Sequence, residues 1–396
     1  MEEIIEHLTP LLKEVTGYIY PNEIELHWGL LIVIYPYVTG LVAGAFILAS
    51  LVKVFNVKEL RPTYRMSLLT ALSFLLVAPL PLLAHLGHPE RCYEVMMTPN
   101  TSSAMAMFGF VYAWYLMAVL LLEIWLDYRR DLIVWASQER GLKKWLHKLI
   151  ALFSTDLSER ALNFDRKTIK AITIIGIPSA FLLHGYVGFI FGSVKANPWW
   201  SSVLMPIVFL FSAIVSGIAL VLLIYMIVTP LRAGDVDMSC LDKLASYLFY
   251  AMIVDFSLEI LDFVHRIYES EESIKILGQL VSGKLFISLI VVQLLMGMII
   301  PLGVIAAVKL LKPPDELRKF AYLVSALLVQ VGIFATRWNV VMGGQLFSKS
   351  FSGLTAYKLS FLGLEGLLAS LGLLVLPVLI LWALFRILPP WEEAKS

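Results

Sequence analysis

The sequence predicts an all-α integral membrane protein of about nine transmembrane helices, with its N-terminus outside and its C-terminus cytoplasmic. Three observations predict it. The 396 residues are 59% hydrophobic, with a mean hydropathy of +0.81. Charged residues make up 15%, against roughly a quarter in soluble domains, so lipid is the natural solvent for this much apolar surface. The apolar residues fall into stretches near the roughly 20 residues that a helix needs to cross hydrocarbon. The connections between them are too short for a soluble catalytic domain. A net charge of +1 points to no nucleic-acid partner. Cys92 and Cys240 match no metal or redox spacing and read as packing thiols. The start, Met1-Glu2-Glu3, lacks the basic opening of a cleaved signal, so the first apolar run serves as an uncleaved membrane signal.

In chain order the predicted spans run near Trp28–Val54, Met66–Leu86, Ala104–Leu126, Thr168–Phe191 and Ser202–Val228, then Leu244–Val264, Leu285–Val308, Phe320–Arg337 and Leu359–Leu388. Arg337 cuts the eighth short. The whole chain, 1–396, reads as one polytopic domain, with 1–27 as an external N-terminal segment and 127–167 as a cytoplasmic amphipathic loop. Lys and Arg crowd the odd-numbered connections: Lys53, Lys58, Arg61 and Arg65 in the first, nine such residues in the third, and Lys309, Lys312, Arg318 and Lys319 in the seventh. Positive loops stay inside, which sets the orientation. Leu142, Trp145, Leu146, Leu149, Ile150 and Phe153 recur at helical spacing among basic residues. They read as an interfacial helix on the cytoplasmic leaflet. Pro79-Leu80-Pro81 should kink the second span. Gly40, Gly44 and Ala45 offer a small face for close packing.

Ionisable groups inside lipid are costly and usually mark a site or path. With this topology most fall at the outer ends of the helices. Glu25 and His27 open the first span, His85, His88, Glu90 and Arg91 close the second, and His184 lies in the outer half of the fourth. Arg337 and Asn339 end the eighth. A pocket there combines aromatic walls, proton-passing His and carboxylates, and Arg or Asn donors, which suits a quinone head group. Blander readings stand beside this one. Trp199 and Trp200 read as interfacial anchors, His85 and His88 as helix ends among head groups, and Arg337 as a snorkelling side chain. On the sixth span Asp255, Glu259 and Asp262, followed by His265 or Arg266, repeat at three and four and share one face. They read as a proton relay, or as a structural network pairing with Arg337 or Lys358. Glu123 and Glu365 are further intramembrane acids, the former placed to pair with Arg129 or Arg130.

These residues resemble the membrane subunits of the polysulfide-reductase and NrfD type, particularly the longer branch that includes the hydrogenase-2 membrane subunit. The resemblance rests on Thr39-Gly40-Leu41-Val42-Ala43-Gly44-Ala45, His85-Leu86-Gly87-His88-Pro89-Glu90-Arg91, His184-Gly185-Tyr186-Val187-Gly188, Asn197-Pro198-Trp199-Trp200 with Met205-Pro206, and the run from Arg337 to Gln345. It implies a quinone-reactive subunit, with menaquinone or ubiquinone as substrate and no haem or iron–sulfur cluster of its own, in the inner membrane of a prokaryote. It implies a four-cluster ferredoxin-like partner on the outer face. That partner leads to a catalytic subunit: a molybdopterin enzyme, a hydrogenase or a multihaem cytochrome. In this sequence the quinone-binding candidates are Glu25, His27, His85, Arg91, Arg337 and Asn339. The proton-handling candidates are His184, Asp255, Glu259 and Asp262. No metal ligands are expected. Two other readings compete. A cytochrome b needs two His at matching depth per haem, and His85, His184 and His265 leave room for one at best. A secondary transporter would place its polar site at the midplane, whereas here the polar residues crowd one surface.

Overall fold

In hydrocarbon every backbone N–H and C=O has to be satisfied within its own segment or a closed sheet, so apolar stretches of this length become helices. The computed structural model describes residues 12–98, 100, 102–269, 273–363 and 365–391. Among them nine helices are long and apolar enough to cross a membrane. They are α1 (Leu30–Lys53), α2 (Lys58–His85), α3 (Gly109–Gln138), α4 (Glu159–Gly192), α5 (Met205–Leu231), α6 (Met238–Glu269), α7 (Phe286–Leu311), α8 (Asp315–Gly343) and α9 (Leu367–Ile387). The all-α class and the nine apolar spans of the sequence reading are therefore present. The acidic start, Met1 to Glu3, and His7 lie outside the described residues. Because consecutive helices alternate in direction, the starts of odd-numbered helices and the ends of even-numbered ones share one end of the bundle. That end is called upper below; the sequence reads it as the outside.

α1 is the centre of the bundle. Its side chains are almost all buried, against α2, α4, α5 and α8. The predicted small face makes this possible: a Cβ on Gly217 of α5 would lie 2.3 Å from the Gly44 carbonyl carbon. α2 loses regular helix after Val77 and regains it at Leu80, at the predicted Pro79-Leu80-Pro81 step. α7 winds in wide π turns from Phe286 to Ile299 and meets α8 so closely that a Cβ on Gly297 would lie 2.3 Å from the Gly332 Cα.

Several boundaries differ from the sequence reading, most clearly in three regions. α8 does not stop at Arg337 but runs to Gly343. The guanidinium is buried inside the bundle, away from lipid, so its charge does not end the helix. Segment 127–167, expected as a loop holding one amphipathic helix, is helical over most of its length, and the expected helix is present at Gly141–Ile150. α3 continues to Gln138, a short helix spans Gly141–Ile150, and α4 begins at Glu159, where the Ser158 hydroxyl caps its first turn by accepting the Ala161 N–H. An Arg129–Asp165 ion pair at 2.6 Å joins the two extensions. The short helix turns His147 inward to Glu139 (2.6 Å) and leaves Leu142, Trp145 and Leu149 exposed. α9 begins only at Leu367.

At the upper end, β1 (Thr16–Gly17) pairs antiparallel with β2 (Gly353–Leu354), tying the N-terminal segment to the connection after α8. The Gln345 side chain accepts the Trp28 N–H (3.0 Å) and donates to the Trp28 carbonyl (3.1 Å), which locks the start of α1 to the end of α8. At the lower end Lys53 and Arg65 reach Asp127 at 2.8 Å, and Arg65 also reaches Asp131 at 2.7 Å.

Candidate functional site

The polar side chains of the upper half gather between α6, α7, α8 and the α4–α5 connection. The spacing of four, three and four along α6 puts Asp255, Glu259, Asp262 and Arg266 on one face. The wide turns of α7 bring Ser288 and Gln293 toward α8, which supplies Asn339. A hydrogen-bonded ladder results. Ser288 Oγ donates to Asn339 Oδ1 (2.6 Å), Asn339 Nδ2 donates to Gln293 Oε1 (2.7 Å), and Gln293 Nε2 donates to Glu259 Oε2 (3.0 Å). The other carboxylate oxygen, Glu259 Oε1, is buried with no protein hydrogen-bond partner. One turn later Asp262 accepts from Ser202 Oγ and from Arg266, and Arg266 also donates to the Trp199 carbonyl.

Glu259, Asp262, Arg266, Gln293 and Asn339 line a cavity of about 150 Å³, with Trp199, Met205, Phe263 and Leu294 among its apolar walls. An engineered protein cavity of this size admits benzene, so the space suits one aromatic ring. Ile260 and Phe263, which also line it, are exposed on the outer surface of the bundle. A lateral opening toward lipid follows from their position. The mixture of apolar walls and a few converging polar groups is that of a small-molecule site.

A second polar cluster is buried beside this cavity. Arg337 Nη2 donates to Ser212 Oγ (2.6 Å) and meets His184 Nε2 at 3.2 Å, while its guanidinium lies 4.1 Å from the Phe209 ring centroid. Asp255, one turn before Glu259, is fully buried, and neither of its oxygens has a protein hydrogen-bond partner. It lies within electrostatic reach of Arg337.

The predicted residues thus divide. Glu259, Asp262 and Asn339 line the cavity, and His184, Asp255 and Arg337 form the cluster beside it. Glu25, His27, His85 and Arg91 are not brought there. Glu25 and His27 precede the Trp28–Gln345 lock and are exposed. His85 Nδ1 lies 2.6 Å from the Glu365 carboxylate. Arg91 is exposed and grips Glu94 with two 2.8 Å hydrogen bonds, which hold the Glu94 carboxyl below its usual range. These four share a membrane face with the cavity but do not share its walls.

Other readings need correction. Trp199 and Trp200 are not interfacial anchors: both are buried, and their indole N–H groups donate to the carbonyls of Asn339 (2.8 Å) and Val340 (2.6 Å). Arg337 does not snorkel. Lys358 pairs with Glu14 at 3.4 Å rather than with the α6 acids. Glu123 meets neither Arg129 nor Arg130, but accepts from Tyr64 OH (3.0 Å) and Thr173 Oγ1 (2.9 Å). Gln293 is not among the sequence candidates, although a lone amide within an apolar span is itself a signal. Arg266 was visible as the last step of the α6 stripe.

A sequence profile described as "Polysulphide reductase, NrfD" matches residues 21–349. A selenate reductase subunit of Mesobacillus selenatarsenatis is similar at 31% identity over 93% of this chain and 87% of its own length. A putative dimethyl sulfoxide reductase membrane subunit of Halobacterium salinarum is 29% identical over 56% of this chain and 48% of its own. Protein NrfD of Escherichia coli is 28% identical over 50% of this chain and 59% of its own.

Proposed function

Because this chain belongs to the polysulphide reductase NrfD family, we propose that it is the quinone-reactive membrane subunit of a respiratory reductase complex. The observation that carries the reading is the ring-sized cavity with Glu259, Gln293 and Asn339 along its wall and Asp262 and Arg266 on the adjoining turn of α6. A quinol needs a hydrogen-bond partner at each oxygen and an acceptor for each proton. Glu259 is the acceptor at one oxygen, held in place by Gln293. Asn339 and Arg266 supply donors. Oxidation of one quinol releases two protons and two electrons. The protons pass to Glu259 and on along the Asp255–Asp262 face; the electrons pass to an iron–sulfur partner at the upper end.

The remaining assignments complete the reading. The upper end faces outward from a prokaryotic inner membrane, and helix Gly141–Ile150 lies with Leu142, Trp145 and Leu149 in the inner leaflet. The catalytic partner is a reductase subunit, as the names selenate reductase and dimethyl sulfoxide reductase suggest for the relatives. The substrate is menaquinone or ubiquinone.

Leu294→Trp tests this reading by filling the cavity from its wall. The complex should still assemble with its iron–sulfur subunit, while the KM for quinol rises about tenfold or more, the discrimination that occupied pocket volume supports. An unchanged KM in the assembled complex rules the cavity out as the site. A chain that purifies alone and carries solute across vesicles supports transport instead.

A further inference from the structure

Far from the quinol cavity, the lower half of the bundle holds an acid that the proposed reaction does not use. Glu123 of α3 is fully buried. Its Oε1 accepts from Tyr64 OH and Thr173 Oγ1, and its Oε2 has no protein hydrogen-bond partner. Among the described residues no cation is within ion-pair distance of it. Lys53 and Arg65 are held by Asp127 and Asp131, and Arg129 by Asp165. The ionisable groups within electrostatic reach of it are Lys53 of α1, whose ammonium is held by Asp127, Tyr64 from α2, and Tyr115 and Asp127 on its own helix. Of the elements packed against it, the short helix turns His147 to Glu139, and α4 turns Asp165 to Arg129. Burying a carboxylate without a cation is so costly that the group takes up a proton instead.

A second observation says where that proton comes from. The lower end carries a cleft of about 1130 Å³ whose walls include Lys53, Arg65, Asp127, Arg232 and Tyr64. Tyr64 therefore lines the cleft, and its hydroxyl hydrogen-bonds Glu123. We propose that Glu123 is a proton-binding site, separate from the quinol cavity, which exchanges its proton with the lower cleft through Tyr64. The phenol passes a proton by donating its own to the carboxylate and taking another from the cleft, so no net charge is left on it. The lower end carries the Lys and Arg of the odd-numbered connections, which makes this a site for protons of the cytoplasmic side.

Infrared difference spectra of the full-length chain in lipid nanodiscs test the proposal without any quinone, so the result does not depend on the reading of the upper cavity. The wild-type protein should show the C=O stretch of a protonated carboxylic acid that shifts in heavy water. Glu123→Gln, which keeps the side-chain shape, should lose that band, and Glu123→Asp should keep it at a shifted frequency. Tyr64→Phe should retain the band but slow its exchange with heavy water. Spectra of Glu123→Gln or Glu123→Asp identical to wild type overturn the proposal. So does loss of the band on adding sodium ions, which marks a cation site, and so does exchange unaffected by Tyr64→Phe.

Discussion

Glu259→Gln is expected to lower quinol turnover by the assembled complex about 10²-fold or more, the range in which a positioned acid or base contributes. The amide keeps the shape of the side chain and its contact with Gln293, so the KM should move far less than kcat. The reason lies in the division of the carboxylate. Oε2 is taken by Gln293, and Oε1 has no protein partner, in a side chain that lines the cavity. Steady-state assays with a soluble quinol and an artificial acceptor measure the effect. Adding Asp255→Asn to it tests the relay. If both changes together leave turnover and its pH dependence untouched, the α6 acids carry no proton.

Arg337→Leu is expected to destabilise the chain by about 1–3 kcal/mol, the cost of leaving buried polar groups unsatisfied, because Arg337 donates to Ser212 and is the cation in electrostatic reach of Asp255 without forming an ion pair with it. Asp255 would then sit fully buried with no hydrogen-bond partner and no cation in reach. His184 and Ser212 would lose their link as well. The double variant Arg337→Leu with Asp255→Asn should recover part of the loss, because both charges are then gone. Denaturation in mild detergent reads the two effects as a cycle. Strict additivity would mean that Asp255 and Arg337 do not sense each other.

Much of this architecture was legible in the sequence, and the reason is lipid. Hydrocarbon forces apolar stretches long enough to cross it into helices, and the Pro79-Leu80-Pro81 step broke the second where expected. The α6 stripe was legible because helical spacing alone sets its face. Arg337 misled because a charge ends a span only when it meets lipid, and packing against Ser212, His184 and Phe209 hides it. Trp199 and Trp200 misled in the same way: their indoles found backbone carbonyls at the end of α8 instead of head groups. The cavity itself was not legible. It depends on the wide turns of α7 and on the Gly297–Gly332 approach, which set Gln293 against Asn339. Glu25, His27, His85 and Arg91 show the limit of topology, which sorts residues to a membrane face but not to a common pocket.

Photolabelling of the assembled complex with an azido-quinone, followed by peptide mapping, tests the central claim most directly. Labels should fall on the 259–266 turn pair of α6 and on residues 289–294 of α7, and a natural quinone should compete them away. Competable labels at His27, His85 or Arg91 instead would place the ring at the start of α1 and contradict the account.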